Sequence, residues 1–402
     1  MLIEHIDRQL LELDAAALRR RLRVAESPCA PLQSFEDEQG GEPLLAFCSN
    51  DYLGLAHHPT LIEAMAEGAR RWGTGSGASH LVNGHMRPHA QVEALLARWF
   101  EPHIPHARAL LMCSGYMANL ALTTALGDGS ATLFCDKLNH ASLIDGARLA
   151  QAQVQRYAHG RLDVLERQLQ SCTTPVKLIV TDAVFSMDGD VADLPTLLAL
   201  AEQYDAWIVL DDAHGLGVLG EQGHGTLEHF RLRSKRFIVM GTLGKAAGVS
   251  GAFVAAHPAI IEWLVQRARP YIYTTAMPPA LAHTVLVSLR LIESEEGRTR
   301  RAQLQGLVEQ LRTGLRALTG IQSSWVLGES FTAIQPLIVG DNAIALKLSA
   351  ALRHCGLYVP AMRPPTVPVG TARLRITLSA AHTPVQVQRL LDALAQASKA
   401  AQ

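Results

Sequence analysis

Lysine is nearly absent from this sequence of 402 residues. Only six of its 36 cationic side chains are lysines: Lys137, Lys177, Lys235, Lys245, Lys347 and Lys399. Net charge is missing too. The formal balance is −1 with histidine neutral, so the chain carries no electrostatic footprint for nucleic acid. Its densest basic run, Arg19-Arg20-Arg21-Leu22-Arg23, is short and local. No apolar run reaches the roughly 20 residues that a membrane-spanning helix needs. The opening stretch MLIEHIDRQLLELDAAALRRRL mixes charge with leucine at helical spacing, unlike a signal peptide. Cysteine pairs are also lacking. Cys29, Cys48, Cys113, Cys135, Cys172 and Cys355 are scattered, with no C-x-x-C among them. That argues against a disulfide framework or zinc knuckle and makes a reducing cytoplasm the expected setting. His57-His58 and His103/His106 have no carboxylate or cysteine at ligand spacing, and no metal is expected. Neither a G-x-x-x-x-G-K-[ST] loop nor a well-placed G-x-G-x-x-G occurs, which disfavours nucleoside triphosphates and dinucleotides.

What is present is apolar and periodic. With 48% hydrophobic and 18% charged residues, the composition is that of a well-buried globule with ample length for a core. Residues 1–40 read as a helix followed by a proline-bearing linker, ESPCAPLQ. Helical patterns are predicted at about 59–71, 88–100 and 116–126. Further helix-period segments alternate with short apolar runs. These runs are ATLFCD (131–136), KLIVTDA (177–183), WIVLDDAHG (207–215), RFIVMGTLGK (236–245) and GAFVAA (251–256). Rich in Val and Ile and bounded by turn residues, they predict buried strands of a largely parallel sheet covered on both faces. A long helix over about 279–318 follows, then strand (about 332–339), helix (342–354), strand (357–361), strand (372–378) and helix (383–398). The expected class is α/β. It comprises an N-terminal helix and linker (1–45), a large domain with a mostly parallel sheet (46–290) and a smaller α+β C-terminal domain (291–402).

Open parallel sheets bind ligands beyond the carboxyl ends of their strands. Four such ends carry reactive side chains: Asp136 to His140, Asp182 to Ser186, Asp211 to His214, and Thr242 to Lys245. Lys245 is the one charged residue in FIVMGTLGKAAGVSGAFVAA (237–256). Arginine cannot serve as an amine nucleophile, whereas a desolvated lysine can lose its proton and form a Schiff base. The plainer alternative is a lysine on a turn with its head in water. Asp211 and Asp212, with His214, could hold a metal, act as a base or pair with a cationic ring nitrogen; otherwise they cap the next helix. The stretch CSGYMANLALTTAL reads as a turn entering a helix, where Ser114, Gly115 and Tyr116 offer backbone N–H groups to an anion, most naturally a phosphate. A lysine at a strand end, an aspartate one βαβ unit upstream and a phosphate-ready helix start together suggest pyridoxal 5'-phosphate. Lysine supplies the imine, and aspartate keeps the pyridine nitrogen protonated so that the ring withdraws electrons.

Seven stretches occur in order along the chain: SNDYLGLAHHP, GSGASHLVNGH, DKLNHASLIDGARL, VFSMDGDVADL, LDDAHGLGVLGEQG, TLGKAAGVSGAFV and YIYTTAMPPA. Together they resemble the α-oxoamine synthases, pyridoxal-phosphate enzymes of the aspartate-aminotransferase-like fold type I. The resemblance implies that Lys245 carries the cofactor as an imine, with Thr242, Gly115 and Tyr116 at the phosphate. It implies that Asp211 pairs with the pyridine nitrogen, His214 and Ser186 bond the ring hydroxyl, and His140 stacks on the ring and positions the thioester. It further implies a homodimer with shared active sites, in which Thr274 or Thr275 reaches the neighbour's phosphate. Asn50 and Arg375 would hold the amino-acid carboxylate, and Arg19 and Thr366 would meet the acyl substrate. Plainer structural alternatives stand beside several of these: a solvated helix face for Arg19, a turn for Ser186, a helix cap for His140 and a strand-edge ion pair for Arg375.

The C-terminal stretch MRPPTVPVGTARLRITLSAAHT is similar to the branch of this family that joins L-alanine to pimeloyl-CoA or a pimeloyl-carrier protein with loss of CO2. Within the family the rival pairs are glycine with acetyl-CoA or succinyl-CoA, and serine with palmitoyl-CoA. Two rivals come from other classes. A non-catalytic partner subunit would lack the lysine. A metal-dependent hydrolase built on Asp211, Asp212 and His214 leaves Lys245 unexplained.

Overall fold

The computed structural model describes residues 1–16, 18–20, 22–36, 42–321 and 324–400; Arg21 of the basic run lies outside them. A helix, Leu2–Ala15, opens the chain and buries none of its side chains. Two short strands follow, β1 (Leu32–Gln33) and β2 (Leu44–Ala46), paired antiparallel.

The centre is a seven-stranded sheet. Its strands are β3 (Arg108–Met112), β4 (Ala131–Asp136), β5 (Gln153–Tyr157), β6 (Val176–Asp182), β7 (Trp207–Asp211), β8 (Phe237–Thr242) and β9 (Ala252–Ala256). They lie in the order β3-β9-β8-β7-β6-β4-β5. The pairs β5–β4, β4–β6, β6–β7 and β7–β8 are parallel, while β9 runs antiparallel to both neighbours. The expected α/β class with a mostly parallel sheet is borne out, with one reversed strand. Because successive strand residues point to opposite faces, the sheet feeds two cores. Ile179, Ile208, Leu210, Phe237 and Val239 pack on one side. Leu178, Val180, Val209, Ile238 and Met240 pack on the other, with Ala118, Ala121 and Leu122 of the helix Gly115–Leu126.

The C-terminal region carries β10 (Val326–Leu327), β11 (Ile334–Gly340), β12 (Leu357–Tyr358), β13 (Ala361–Met362) and β14 (Ala372–Thr377). Four of them form a sheet in the order β10-β11-β14-β13. Two expectations are corrected here. The single helix over about 279–318 is two helices, Pro279–Glu293 and Glu295–Ile321. Ser294 between them is extended, with its hydroxyl donating to Leu291 O (2.7 Å) and its carbonyl accepting from Arg298 N (3.0 Å). The strand expected over 357–361 is split between two sheets. β12 pairs parallel with β2, whereas β13 pairs antiparallel with β14. Pro360 lies at the break, where its missing N–H would interrupt a ladder. The segment 47–52 is held against the far end of β14: Thr377 N donates to Phe47 O (2.8 Å), Ala380 N to Tyr52 O (2.7 Å) and Ser379 Oγ to Asp51 O (2.6 Å).

The helices Gly115–Leu126 and Ala141–Leu149 touch closely because Gly146 has no side chain. A Cβ there would lie 2.0 Å from Thr123 Oγ1 and 3.2 Å from Asn119 O. Gly146→Ala is therefore expected to lower stability by about 1–3 kcal/mol, as overpacking does. Urea unfolding checks this, and an unchanged midpoint would show that the two helices can part without cost.

Candidate active site

Three strand ends supply the floor of the site. Along β6, β7 and β8 the alternation that sends Leu178, Val180, Val209, Ile238 and Met240 to one face sends Asp182, Asp211 and Thr242 there too. The parallel register sets Asp182 beside Asp211 and Asp211 beside Met240. After β8 the chain folds back: Leu243 N bonds Gly251 O (2.8 Å), Gly248 N bonds Lys245 O (2.8 Å) and Val249 N bonds Leu243 O (3.0 Å). This loop turns the Lys245 amine into a cavity of about 150 Å³. The same cavity is lined by Gly115, Tyr116, His140, Asp211, His214 and Thr242, so seven of the expected residues meet there.

The Lys245 Nζ is 2.8 Å from His214 Nε2. The other ring nitrogen, His214 Nδ1, is 2.5 Å from the Tyr52 hydroxyl, which donates to Asn50 Oδ1 at 3.1 Å. Asn50 Oδ1 also accepts from Arg375 Nη2 at 3.2 Å. Arg375 is buried, with Nε donating to Ser186 O and Nη1 to Thr377 Oγ1 (3.0 Å). Asp211 Oδ2 accepts from Asn119 Nδ2 (2.7 Å) and Oδ1 from Ala213 N (3.0 Å). Asn119 shares its amide with Ser142 Oγ (2.9 Å), across the helix contact that Gly146 permits.

Burial dominates the protonation of these groups. It pulls Lys245 down to about 8, opposed by the charges of Asp211 and Asp182 and helped by that of Arg375. It holds His214 well below the usual imidazole range, as do the nearby cations Lys245 and Arg375. It raises Asp182 well above the ordinary carboxyl range, and Asp211 beside it adds to the shift. The site thus offers an amine close to neutrality, a carboxylate held by an amide and a neutral imidazole.

Asp212 does not join this group. Its Oδ2 accepts at 2.7 Å from the backbone N of Thr226, the first residue of the helix Thr226–His229. The helix-capping alternative thus holds for Asp212, and the two adjacent carboxylates diverge. His140 is both cap and cavity residue: its Nδ1 accepts from Ser142 N (3.3 Å), while its ring lines the pocket. Ser186 enters through its backbone carbonyl on Arg375. Thr275 is exposed; it pairs with Ser79, and its carbonyl accepts from Cys113 Sγ (3.4 Å), one residue ahead of Ser114. Thr274 is half-buried and, like Thr275, does not line the cavity. Thr366 is exposed, and Arg19 pairs at the surface with Asp14 (2.5 Å); neither lines the cavity. Tyr52, Asn119 and Ser142 were missed as site residues. Tyr52 sits inside SNDYLGL, and Asn119 lies one helical turn beyond Gly115, facing the same way.

These groups suit pyridoxal phosphate. A primary amine of lowered pKa meets an aldehyde. The Asn119-anchored Asp211 is of the kind that could pair with a protonated pyridine nitrogen. The helix Gly115–Leu126, whose Ser114 hydroxyl takes only Met117 N (3.2 Å), keeps first-turn N–H groups for a phosphate.

Residues 42–394 match the family described as aminotransferase class I and II. The chain belongs to that family. It is 68% identical to an 8-amino-7-oxononanoate synthase 2 of Polaromonas sp. over 99% of both chains. An 8-amino-7-oxononanoate synthase of Francisella tularensis, known as a crystal structure, is 31% identical with a TM-score of 0.75, covering 89% of this chain and 98% of its own. A serine palmitoyltransferase variant from S. paucimobilis, solved with a bound PLP–myriocin aldimine, is 29% identical with a TM-score of 0.89, covering 99% and 97%. The family resemblance and the fold type read from the sequence are both borne out.

Asp211 raises the Lys245 pKa, so Asp211→Asn should lower it below about 8. The pH dependence of amine modification on cofactor-free protein measures this. An unmoved midpoint would mean that the two charges are not coupled.

Proposed function

We infer that this chain is a pyridoxal-phosphate-dependent acyltransferase of biotin biosynthesis. It condenses L-alanine with a pimeloyl thioester to give 8-amino-7-oxononanoate, CO2 and free thiol. The observation that carries the reading is the half-buried Lys245 amine, facing Asp211 and His214, in a chain 68% identical over its full length to an 8-amino-7-oxononanoate synthase.

When bound, the cofactor supplies an electron sink for the carbanion formed at the alanine α-carbon. Lys245 Nζ would hold it covalently, Asp211 would hold its ring nitrogen protonated, and His214 and Ser186 would bond its hydroxyl. Thr242, Gly115 and Tyr116 would hold its phosphate, with Thr274 or Thr275 of a second copy in a homodimer that shares its sites. His140, at the mouth of the cavity, would stack on the ring and orient the thioester. Arg375 and Asn50 would grip the alanine carboxylate.

Lys245 Nζ, once freed from the cofactor, would be the base that takes the alanine α-proton. A pKa lowered to about 8 leaves a useful free-base fraction near neutral pH. The α-carbon then attacks the thioester carbonyl, thiolate leaves, and the β-keto acid loses CO2. Lys245 Nζ would return that proton to the α-carbon. Arg19, with Thr366, would meet the distal pimeloyl carboxylate by exchanging Asp14 for it. The three-part division at 45/46 and 290/291 is part of this reading, although the first boundary falls within β2, which pairs with β12 of the last part, and the second within the helix Pro279–Glu293. No described helix is long and apolar enough to cross a membrane. The proposed setting is the cytoplasm, which suits six unpaired cysteines.

Thiol release decides the reading. The loaded enzyme should release thiol with L-alanine plus pimeloyl-CoA and not with glycine plus acetyl-CoA; the reverse result would keep the Lys245 chemistry and overturn the substrates. Lys245→Ala should abolish release while circular dichroism stays unchanged. Arg19→Ala should raise the KM for pimeloyl-CoA several-fold, on the order of one lost charge-assisted hydrogen bond, with the alanine KM unmoved.

A further inference from the structure

His159 lies in YAHGRL between β5 and the helix Leu162–Ser171, and nothing above uses it. Its ring is strung between two carboxylates: Nδ1 is 3.1 Å from Asp136 Oδ2, and Nε2 is 2.8 Å from Asp190 Oδ2. An ionised carboxylate only accepts, so both ring nitrogens must donate and the ring is an imidazolium. The bonds to Asp136 and Asp190 outweigh partial burial and raise its pKa to about 10. Phe185 covers the ring with an uncharged edge, at a centroid distance of 4.3 Å.

The two carboxylates belong to different parts of the fold. Asp136 ends β4. Asp190 closes the turn 185–190, drawn tight by Phe185 N to Asp190 O (3.0 Å) and Gly189 N to Phe185 O (2.7 Å). That turn presents Ser186 O to Arg375 Nε, and Met187 O (3.2 Å) and Asp188 to Arg373 Nη1. Without a cation between them, Asp136 and Asp190 would repel across the gap and push the turn off the sheet.

We propose that His159 is a positioning residue, an imidazolium clamp that fixes the 185–190 turn and thereby aims the Arg375 guanidinium at the amino-acid carboxylate. The proposal rests on the assignment of Arg375 made above. The titratable groups facing the ring are Asp136 from β4 and Asp190 from the turn. Because its folded pKa lies above the unfolded value of about 6.5, the clamp contributes fully below that pH and is lost as pH rises through about 10.

The test uses the loaded enzyme with His159→Gln, Asp190→Asn and both together. Each single variant should raise the KM for L-alanine about tenfold, one charged hydrogen bond's worth, with kcat and the pimeloyl-CoA KM nearly unchanged. The double variant should be no worse than either single one. Titrating the cofactor absorbance with L-alanine reads the same affinity without turnover. Unchanged alanine affinity in both single variants, or additive losses, would overturn the proposal. If His159→Gln does not fold, Asp190→Asn carries the comparison. If the wild type turns over only with glycine, the substrate reading falls, and the same titration with glycine still decides the role of His159.

Discussion

Three ionisable groups crowd one small buried volume: the Lys245 amine and the carboxylates of Asp182 and Asp211. An isolated charge there would cost several kcal/mol of lost hydration. The arrangement spreads that cost. Lys245 is drawn down to about 8, and Asp182 is driven toward its protonated form. Asp211 is instead fixed in place by hydrogen bonds from Asn119 Nδ2 and Ala213 N. The rest of the architecture serves this balance. The parallel register of β6, β7 and β8 sets the groups side by side, and the missing side chain at Gly146 lets Ser142 hold the amide that holds Asp211.

The scarcity of lysine reads differently once the site is in view. Where a permanent cation is needed in a buried place, the chain uses arginine. Arg373 and Arg375 on β14 both reach the 185–190 turn, and each spreads its fork over several acceptors. Where a cation must be able to become a base, it uses Lys245. Arginine could fill the same space, but it could not lose its proton, so the substitution would remove the chemistry and keep the charge.

How much was legible followed from what each signal depends on. Strand ends in a parallel sheet are local in sequence and fixed in space, so Asp211, His214, Thr242 and Lys245 could be placed together from spacing alone. Asn119 and Ser142 could not, because a buried polar residue in a helix leaves no mark in the periodicity and its partner is set by tertiary packing. Asp212 looked equivalent to Asp211 until pleat alternation turned it to Thr226. The break at Ser294 and the split at Pro360 were also invisible as pattern. Apolar residues continue across Pro360, and only the pairing partners of each half reveal that change; the polar run 293–301 around Ser294 fits the exposed face of one long helix as well as a break between two.

The hydrogen bonds that join the amine to the C-terminal sheet have a direction, and the direction is informative. Tyr52 O–H donates to Asn50 Oδ1, so its oxygen accepts from His214 Nδ1–H, and His214 Nε2 is left as the acceptor facing Lys245 Nζ. Burial and neighbouring cations keep that imidazole neutral, which preserves the acceptor. Asn50 Oδ1 also accepts from Arg375, so whatever engages Arg375 competes for the far end of the same chain. An anion drawing Arg375 away would leave Asn50 Oδ1 to Tyr52 alone and strengthen the bond that fixes the His214 tautomer. Guanidinium, amide, phenol, imidazole and amine are thus joined in one continuous line of hydrogen bonds.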